Sequence, residues 1–196
     1  MKLQHIAALV VPAAAVAVIG VVLAGQSPDA RFRLTSPNGI AFADFKGYDA
    51  WQVIEPSEPD DAGGCGASPA PGCIKAILGN PAMIQAYKDG FPASGHPAPD
   101  GATMVKVEWA KHHATGAPVS AYPVTLPGPL VQVSFMLKDS KRFPATDGWG
   151  YTTFKRDTVS GTWRTFGDGP EFANTCHACH TLVKASDFVF SRYAQR

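Results

Sequence analysis

Apolar and polar residues alternate at period two through much of the second half of this chain. From Ala102 to Lys111, Val105, Val107 and Trp109 fall on one face, with Met104, Lys106 and Glu108 on the other. That spacing predicts a strand. Leu130 to Leu137 repeats the pattern, with Val131, Val133, Phe135 and Leu137 on a common face, and Trp149 to Lys155 predicts a further strand. Ser160-Gly161 predicts a hairpin turn into Thr162 to Phe166. Upstream, Phe45 to Ile54 predicts a short helix running into a strand, and Cys73 to Leu78 a short apolar strand. Asn80-Pro81 opens a helix through Met83, Ile84 and Tyr87 that stops at Gly90, with Asn80 as N-cap and proline in the first turn. A second short helix is expected from near Pro170, and a final strand over Asp187 to Tyr193. Long amphipathic helical repeats are absent. The expected class is mainly β (α+β), an antiparallel sheet with two or three short helices.

Composition narrows this picture. Seventeen Lys and Arg against sixteen Asp and Glu give a net charge of +1, which offers no electrostatic footing for nucleic acid or an anionic membrane surface. The 19 Gly and 17 Pro are dispersed, which suits short strands and turns rather than long helices. Lys2 precedes an apolar run from Ile6 to Ala24 that ends in the small-residue sequence Val22-Leu23-Ala24. Residues 1–25 are therefore expected to be an export signal, or an uncleaved anchor given the length of the run. Either delivers residues 26–196 across a membrane, with the periplasm as the expected compartment. That remainder is long enough for one domain with its own core. Cys65 and Cys73 bracket a Gly- and Pro-rich loop that can join its own ends, so a local disulfide is expected in an oxidising compartment.

The chemistry concentrates near the C-terminus, in Cys176-His177-Ala178-Cys179-His180. In a C-x-x-C-H motif the two thiols can bond the two vinyl groups of one haem, and the following histidine becomes the iron's proximal ligand. Half a zinc site would want a second ligand pair, and no second C-x-x-C or H-x3-H occurs; a thioredoxin-like dithiol is the other alternative. Covalent haem c is the expected cofactor, held by Cys176, Cys179 and His180. Thr181 to Arg196 contains no Met or His, so any sixth ligand has to come from Met83, Met104, Met136, His96, His112 or His113. None of these sits in a local ligand signature. An open-faced iron binds or transforms small molecules, whereas a six-coordinate one mainly carries electrons.

Several stretches, in order, resemble the cytochrome P-460 family and its β-sheet relatives, the cytochromes c′-beta. They are Trp51-Gln52-Val53, Asn80-Pro81, Asp100-Gly101-Ala102-Thr103-Met104-Val105-Lys106 and Lys138-Asp139-Ser140-Lys141-Arg142-Phe143. The haem motif follows, then Asp187-Phe188-Val189-Phe190-Ser191-Arg192-Tyr193. The resemblance implies a mono-haem c domain over most of the chain. In the P-460 enzymes a lysine nitrogen is bonded to a haem meso carbon and hydroxylamine is oxidised, with nitric oxide chemistry in the cycle. The c′-beta relatives lack the cross-link, bind nitric oxide and other diatomic gases, and cap the distal face with aromatic rings. By position after Asp100-Gly101, Lys106 matches the cross-linking lysine.

The resemblance also implies a distal carboxylate acting as general base. Glu108 is the candidate, with Glu171 and Asp147 as alternatives; in the Val131 to Leu137 strand, where a carboxylate is sought, the chain has only Gln132 and Ser134. Phe135 is a candidate aromatic cap, and Arg142 a candidate partner for a haem propionate. Three functions follow as expectations: hydroxylamine oxidation with electrons passed to a soluble acceptor cytochrome, capture of nitric oxide without turnover, or electron transfer through a hidden sixth ligand. Family members are commonly homodimers, which the resemblance extends to this chain.

Overall fold

The computed structural model describes residues 28–59, 72–114, 122–167, 169 and 171–194. The predicted export segment and Cys65 lie outside them, while Cys73 is disulfide-bonded. Six antiparallel strands form one sheet in chain order: β1 (Gln52–Ser57), β2 (Cys73–Gly79), β3 (Thr103–Ala114), β4 (Val124–Lys138), β5 (Trp149–Arg156) and β6 (Trp163–Thr165). Among the described residues one α-helix, α1 (Pro81–Lys88), interrupts the meander and another, α2 (Phe172–His180), follows it, with several short 3-10 turns along the chain.

The alternation seen in the sequence is the side-chain alternation of the sheet, and both faces are covered. On one face Val105, Val133, Phe135 and Phe154 meet the N-terminal segment, whose turns at Phe42–Phe45 and Tyr48–Ala50 fold across the strands. Phe42 is fully buried and meets Phe135, Phe154 and Trp163 edge-on, while Phe45 stacks on Phe135 with ring centroids 3.8 Å apart. Each such ring contributes roughly 1.5–3 kcal/mol through burial alone. On the opposite face Met104, Met136, Trp149 and Tyr151 pack against α1, α2 and the chain after it.

Asn80 caps α1 as expected. Its Oδ1 accepts from the amides of Met83 (2.9 Å) and Thr103 (3.0 Å), and its Nδ2 donates to Gly101 O (2.8 Å). One side chain thus ties the helix start to the turn that launches β3.

Two expectations need correction. β4 begins at Val124, well before Leu130, and pairs its early residues with Lys111 to Ala114 of β3 across a register shift. The predicted strand over Asp187 to Tyr193 does not form. Asp187 (φ 48°) and Phe188 (φ 65°) are both left-handed, which reverses the chain after the 3-10 turn Thr181–Ser186. Beyond them the amides go to scattered acceptors, Val189 N to Ser186 O, Arg192 N to Glu55 Oε2 and Ala194 N to Ile54 O, rather than to a ladder.

Candidate functional site

The register of the sheet lines up three rungs of side chains on the face beneath α2. The first is Gly79–Met104–Met136–Tyr151, the second Ile77–Lys106–Ser134–Thr153, and the third Lys75–Glu108–Gln132–Lys155. Successive rungs are two residues apart, about 7 Å along the strands. The first rung is apolar apart from the tyrosine hydroxyl and the third is almost wholly polar, so the face changes character over two steps.

A cavity of about 540 Å³ lies over these rungs. Its walls include Lys75, Met104, Lys106, Gln132, Ser134, Met136, Tyr151 and Lys155 from the sheet, Cys176 and His180 from α2, and Val189 and Phe190 from the chain beyond. Cys176, Cys179 and His180 stand at i, i+3 and i+4, one side of the helix. Cys176 and Cys179 are free thiols. Burial pushes the Cys176 thiol up to about 11. A dithiol redox pair needs the opposite, a thiolate stabilised near neutrality.

His180 is held in one tautomer. Its Nδ1 lies 2.6 Å from Phe188 O, and a carbonyl only accepts, so Nδ1 carries the proton and Nε2 keeps a lone pair for a metal. Burial lowers its affinity for a second proton. Tyr151 and Phe190 flank the ring, each with centroids 5.0 Å away. On the neighbouring turn His177 places Nε2 3.0 Å from Asp147 Oδ2 and Nδ1 3.3 Å from the Tyr151 hydroxyl. Asp147 therefore anchors the helix from outside; neither it nor the exposed Glu171 lines the cavity.

Lys106 sits in the cavity wall, two strands from the edge, with its side chain one-third exposed. Its Nζ is 3.3 Å from Glu108 Oε2, and Lys75 Nζ is 3.8 Å from Glu108 Oε1. Gln132 Nε2 donates to the same Glu108 Oε2 and, at 3.1 Å, to Ser134 Oγ, which also accepts from Thr153. Glu108 is 1% exposed and does not line the cavity. The expected distal base is thus one layer back: it faces Lys106, Lys75 and Gln132 rather than the open space. The Lys106–Glu108 pair thus lies at the cavity wall and not on a solvent face.

Two further candidates are placed elsewhere. Phe135 borders the cavity, but its ring is stacked on Phe45 in the core on the other side of the sheet, because its position has the opposite parity to Gln132, Ser134 and Met136. It cannot cap an iron on the cavity side. Arg142 is exposed, donates to Gly39 O at 2.6 Å and lies over Phe143, so it does not join the site. Of the upstream metal-ligand candidates, His96, His112 and His113 are exposed and Met83, on α1, is buried in the core. Met104 and Met136 do line the cavity, packed in the apolar cluster that also holds Ala173 and Cys176 of α2.

Period-two counting on β3 does not reveal which residues of other strands share the cavity wall with Lys106. Lys75, Lys155 and Glu55, all on the cavity wall, come from strands whose register no local motif encodes. Lys155 is 7% exposed, with its Nζ 3.4 Å from the Phe166 ring centroid, and burial lowers its pKa. Among the described residues no carboxylate lies within ion-pair distance of it, and Gln132 Oε1 is buried without a hydrogen-bond partner. Buried groups of this kind call for polar or anionic partners.

These features suit a haem. Cys176 and Cys179 would supply the thioether sulfurs and His180 Nε2 the iron ligand, and the Met104 and Met136 rung offers apolar surface to the macrocycle. The cationic third rung suits its carboxylates. A comparison with curated proteins finds none that matches. The family model described as Cytochrome P460 matches residues 45–191, from the turn before β1 to the chain beyond α2, and the chain belongs to that family of haem cytochromes.

Proposed function

We propose that this chain is an exported mono-haem c cytochrome that oxidises hydroxylamine or handles nitric oxide at an open iron face, with Lys106 bonded to the porphyrin. The observation that carries the proposal is the shared cavity: Cys176, His180 and Lys106 reach one space from α2 and β3. The haem, when bound, supplies the iron that coordinates the substrate nitrogen and accepts its electrons.

The protein's own groups prepare that site. Phe188 O fixes the His180 tautomer. A cross-link would replace a porphyrin meso hydrogen by Lys106 Nζ, a two-electron oxidation that would need a peroxide-class oxidant and the neutral amine; Glu108 Oε2, 3.3 Å from Lys106 Nζ, is placed to take the proton that the ammonium gives up. Glu108 therefore serves Lys106 first and adjoins the cavity through Lys106, Lys75 and Gln132 rather than directly. Phe190, half exposed, stands at the cavity wall edge-on to the His180 ring.

The test is the absorption spectrum of the ferrous protein beside that of Lys106→Ala, with the mass of each chain after denaturation and hydroxylamine turnover assayed with a soluble acceptor. Haem is expected to stay on both chains through Cys176 and Cys179, while the spectra differ and turnover falls in the variant. Identical spectra would refute the cross-link and leave capture of nitric oxide without turnover. A low-spin ferrous and ferric iron would instead point to Met104 or Met136 as a sixth ligand.

A further inference from the structure

Lys138 is the last residue of β4 and lies outside the cavity, yet it ties together both turns that contact α2. Its side chain is 9% exposed. Nζ donates to Asp187 Oδ1 (3.0 Å) and Oδ2 (3.2 Å) and to Asp147 O (3.1 Å), and it sits over the Trp149 ring at 4.9 Å. Asp147 and Asp187 are both non-glycine residues with positive φ, 51° and 48°. Asp147 holds His177 through its carboxylate. Asp187 opens the left-handed pair whose second member, Phe188, presents its carbonyl to His180 Nδ1.

A bulky residue at φ 65° persists only where its surroundings over-determine it. Here the Phe188 side chain is 4% exposed, its ring lies 4.7 Å from that of His177, and its amide donates to Val183 O. The preceding carboxylate is fixed by Lys138 and by the Ala98 amide (2.9 Å). The direction of the Phe188 carbonyl is therefore set from the far end of β4.

We propose that Lys138 and Asp187 are positioning residues for the proximal histidine, a clamp that sets the donor strength of His180 toward the iron by aiming Phe188 O at Nδ1–H. A well-aimed carbonyl raises the basicity of the ligating nitrogen and favours the ferric over the ferrous iron. The proposal rests on His180 being the iron ligand.

The experiment uses haem-loaded protein and two readouts that a merely structural role would not move: the ferrous iron–histidine stretching frequency and the reduction potential. Asp187→Ala loses the Lys138 and Ala98 partners and tolerates positive φ poorly. Asp187→Asn keeps an acceptor for the Ala98 amide and the left-handed tolerance of asparagine. For Asp187→Ala the stretching band is expected to fall and ferric stabilisation to drop about tenfold, which raises a one-electron potential by about 59 mV. Asp187→Asn is expected to recover most of both shifts. Lys138→Met, which retains apolar packing on Trp149, shifts both in the same direction as Asp187→Ala and serves if that variant does not load haem. Unchanged band and potential in Asp187→Ala or in Lys138→Met would overturn the clamp. A wild-type ferrous spectrum with no iron–histidine band would remove the site itself and the clamp with it, so the two failures are told apart by the wild type.

Discussion

Replacing Glu108 by glutamine tests whether the buried carboxylate organises the lysines around it. Two cations stand at 3.3 and 3.8 Å from its oxygens. At an effective dielectric of about 20 the gross attractions are on the order of 5 and 4 kcal/mol. Desolvation of a group that is 1% exposed cancels much of that, so the net worth is smaller. Removing one member of a buried pair costs about 3–5 kcal/mol when the partner is stranded. Here Lys106 is 35% exposed and Lys75 14%, so both recover some hydration and the loss should be about 2–3 kcal/mol. For a domain of this size that is a fall of about 5–10 °C in Tm. Urea unfolding of haem-free Glu108→Gln should show a lower midpoint at unchanged slope. A cycle with Lys106→Met should show a coupling of about 1 kcal/mol or more between positions 106 and 108. Wild-type stability in Glu108→Gln, or strict additivity with Lys106→Met, would refute the view that Glu108 holds Lys106 in place.

Three other outcomes follow from the same contacts. Lys155 has its pKa lowered by burial from an ordinary 10.5, so between the lowered value and 10.5 the unfolded chain binds more protons than the folded one. The stability of the haem-free protein should rise with pH across that window, and urea titrations of Lys155→Met should lose this contribution to the slope. Phe135→Ala should cost about 3–5 kcal/mol by chemical denaturation, since the ring is 2% exposed among several aromatics, while the spectrum of the nitrosyl form stays as in wild type. Asn80→Ala removes one oxygen serving two amides and should cost about 1–2 kcal/mol, read as a shift in urea midpoint.

What was legible in the sequence was whatever a local rule encodes. The N-cap at Asn80, the alternation on β3 and the second half of β4, the hairpin at Gly161 and the helical C-x-x-C-H motif all depend on neighbours within a few residues. Pro127-Gly128-Pro129 breaks a strand pattern, so local rules do not carry β4 back past Leu130. In the folded chain the irregular register at Glu108, Trp109 and Lys111 absorbs that break, and Gly128 is required because a Cβ there would lie 2.9 Å from Ala110 O. The segment after Asp187 has β-forming composition, yet its course is set by Lys138, forty-nine positions earlier. The roles of Lys75, Lys155 and Phe188 were illegible for the same reason: each arises from a distant pairing.

Register is the link between those distant pairings and the chemistry. Lys106 faces Ser134 and Ile77, while its neighbours Val105 and Val107 belong to the aromatic core on the other side. A slip of one residue between β3 and β4 would exchange these sets, placing a lysine and a glutamate among Phe42, Phe45 and Phe135. That arrangement would strand two charges in an apolar core, at a cost far above the stability of a domain of this size. The aromatic face therefore does more than stabilise the sheet. By refusing charge it forces Met104, Lys106 and Glu108 to the side where Cys176 and His180 descend. The placement of Lys106 beside the C-x-x-C-H helix thus follows from packing on the face of the sheet opposite the cavity.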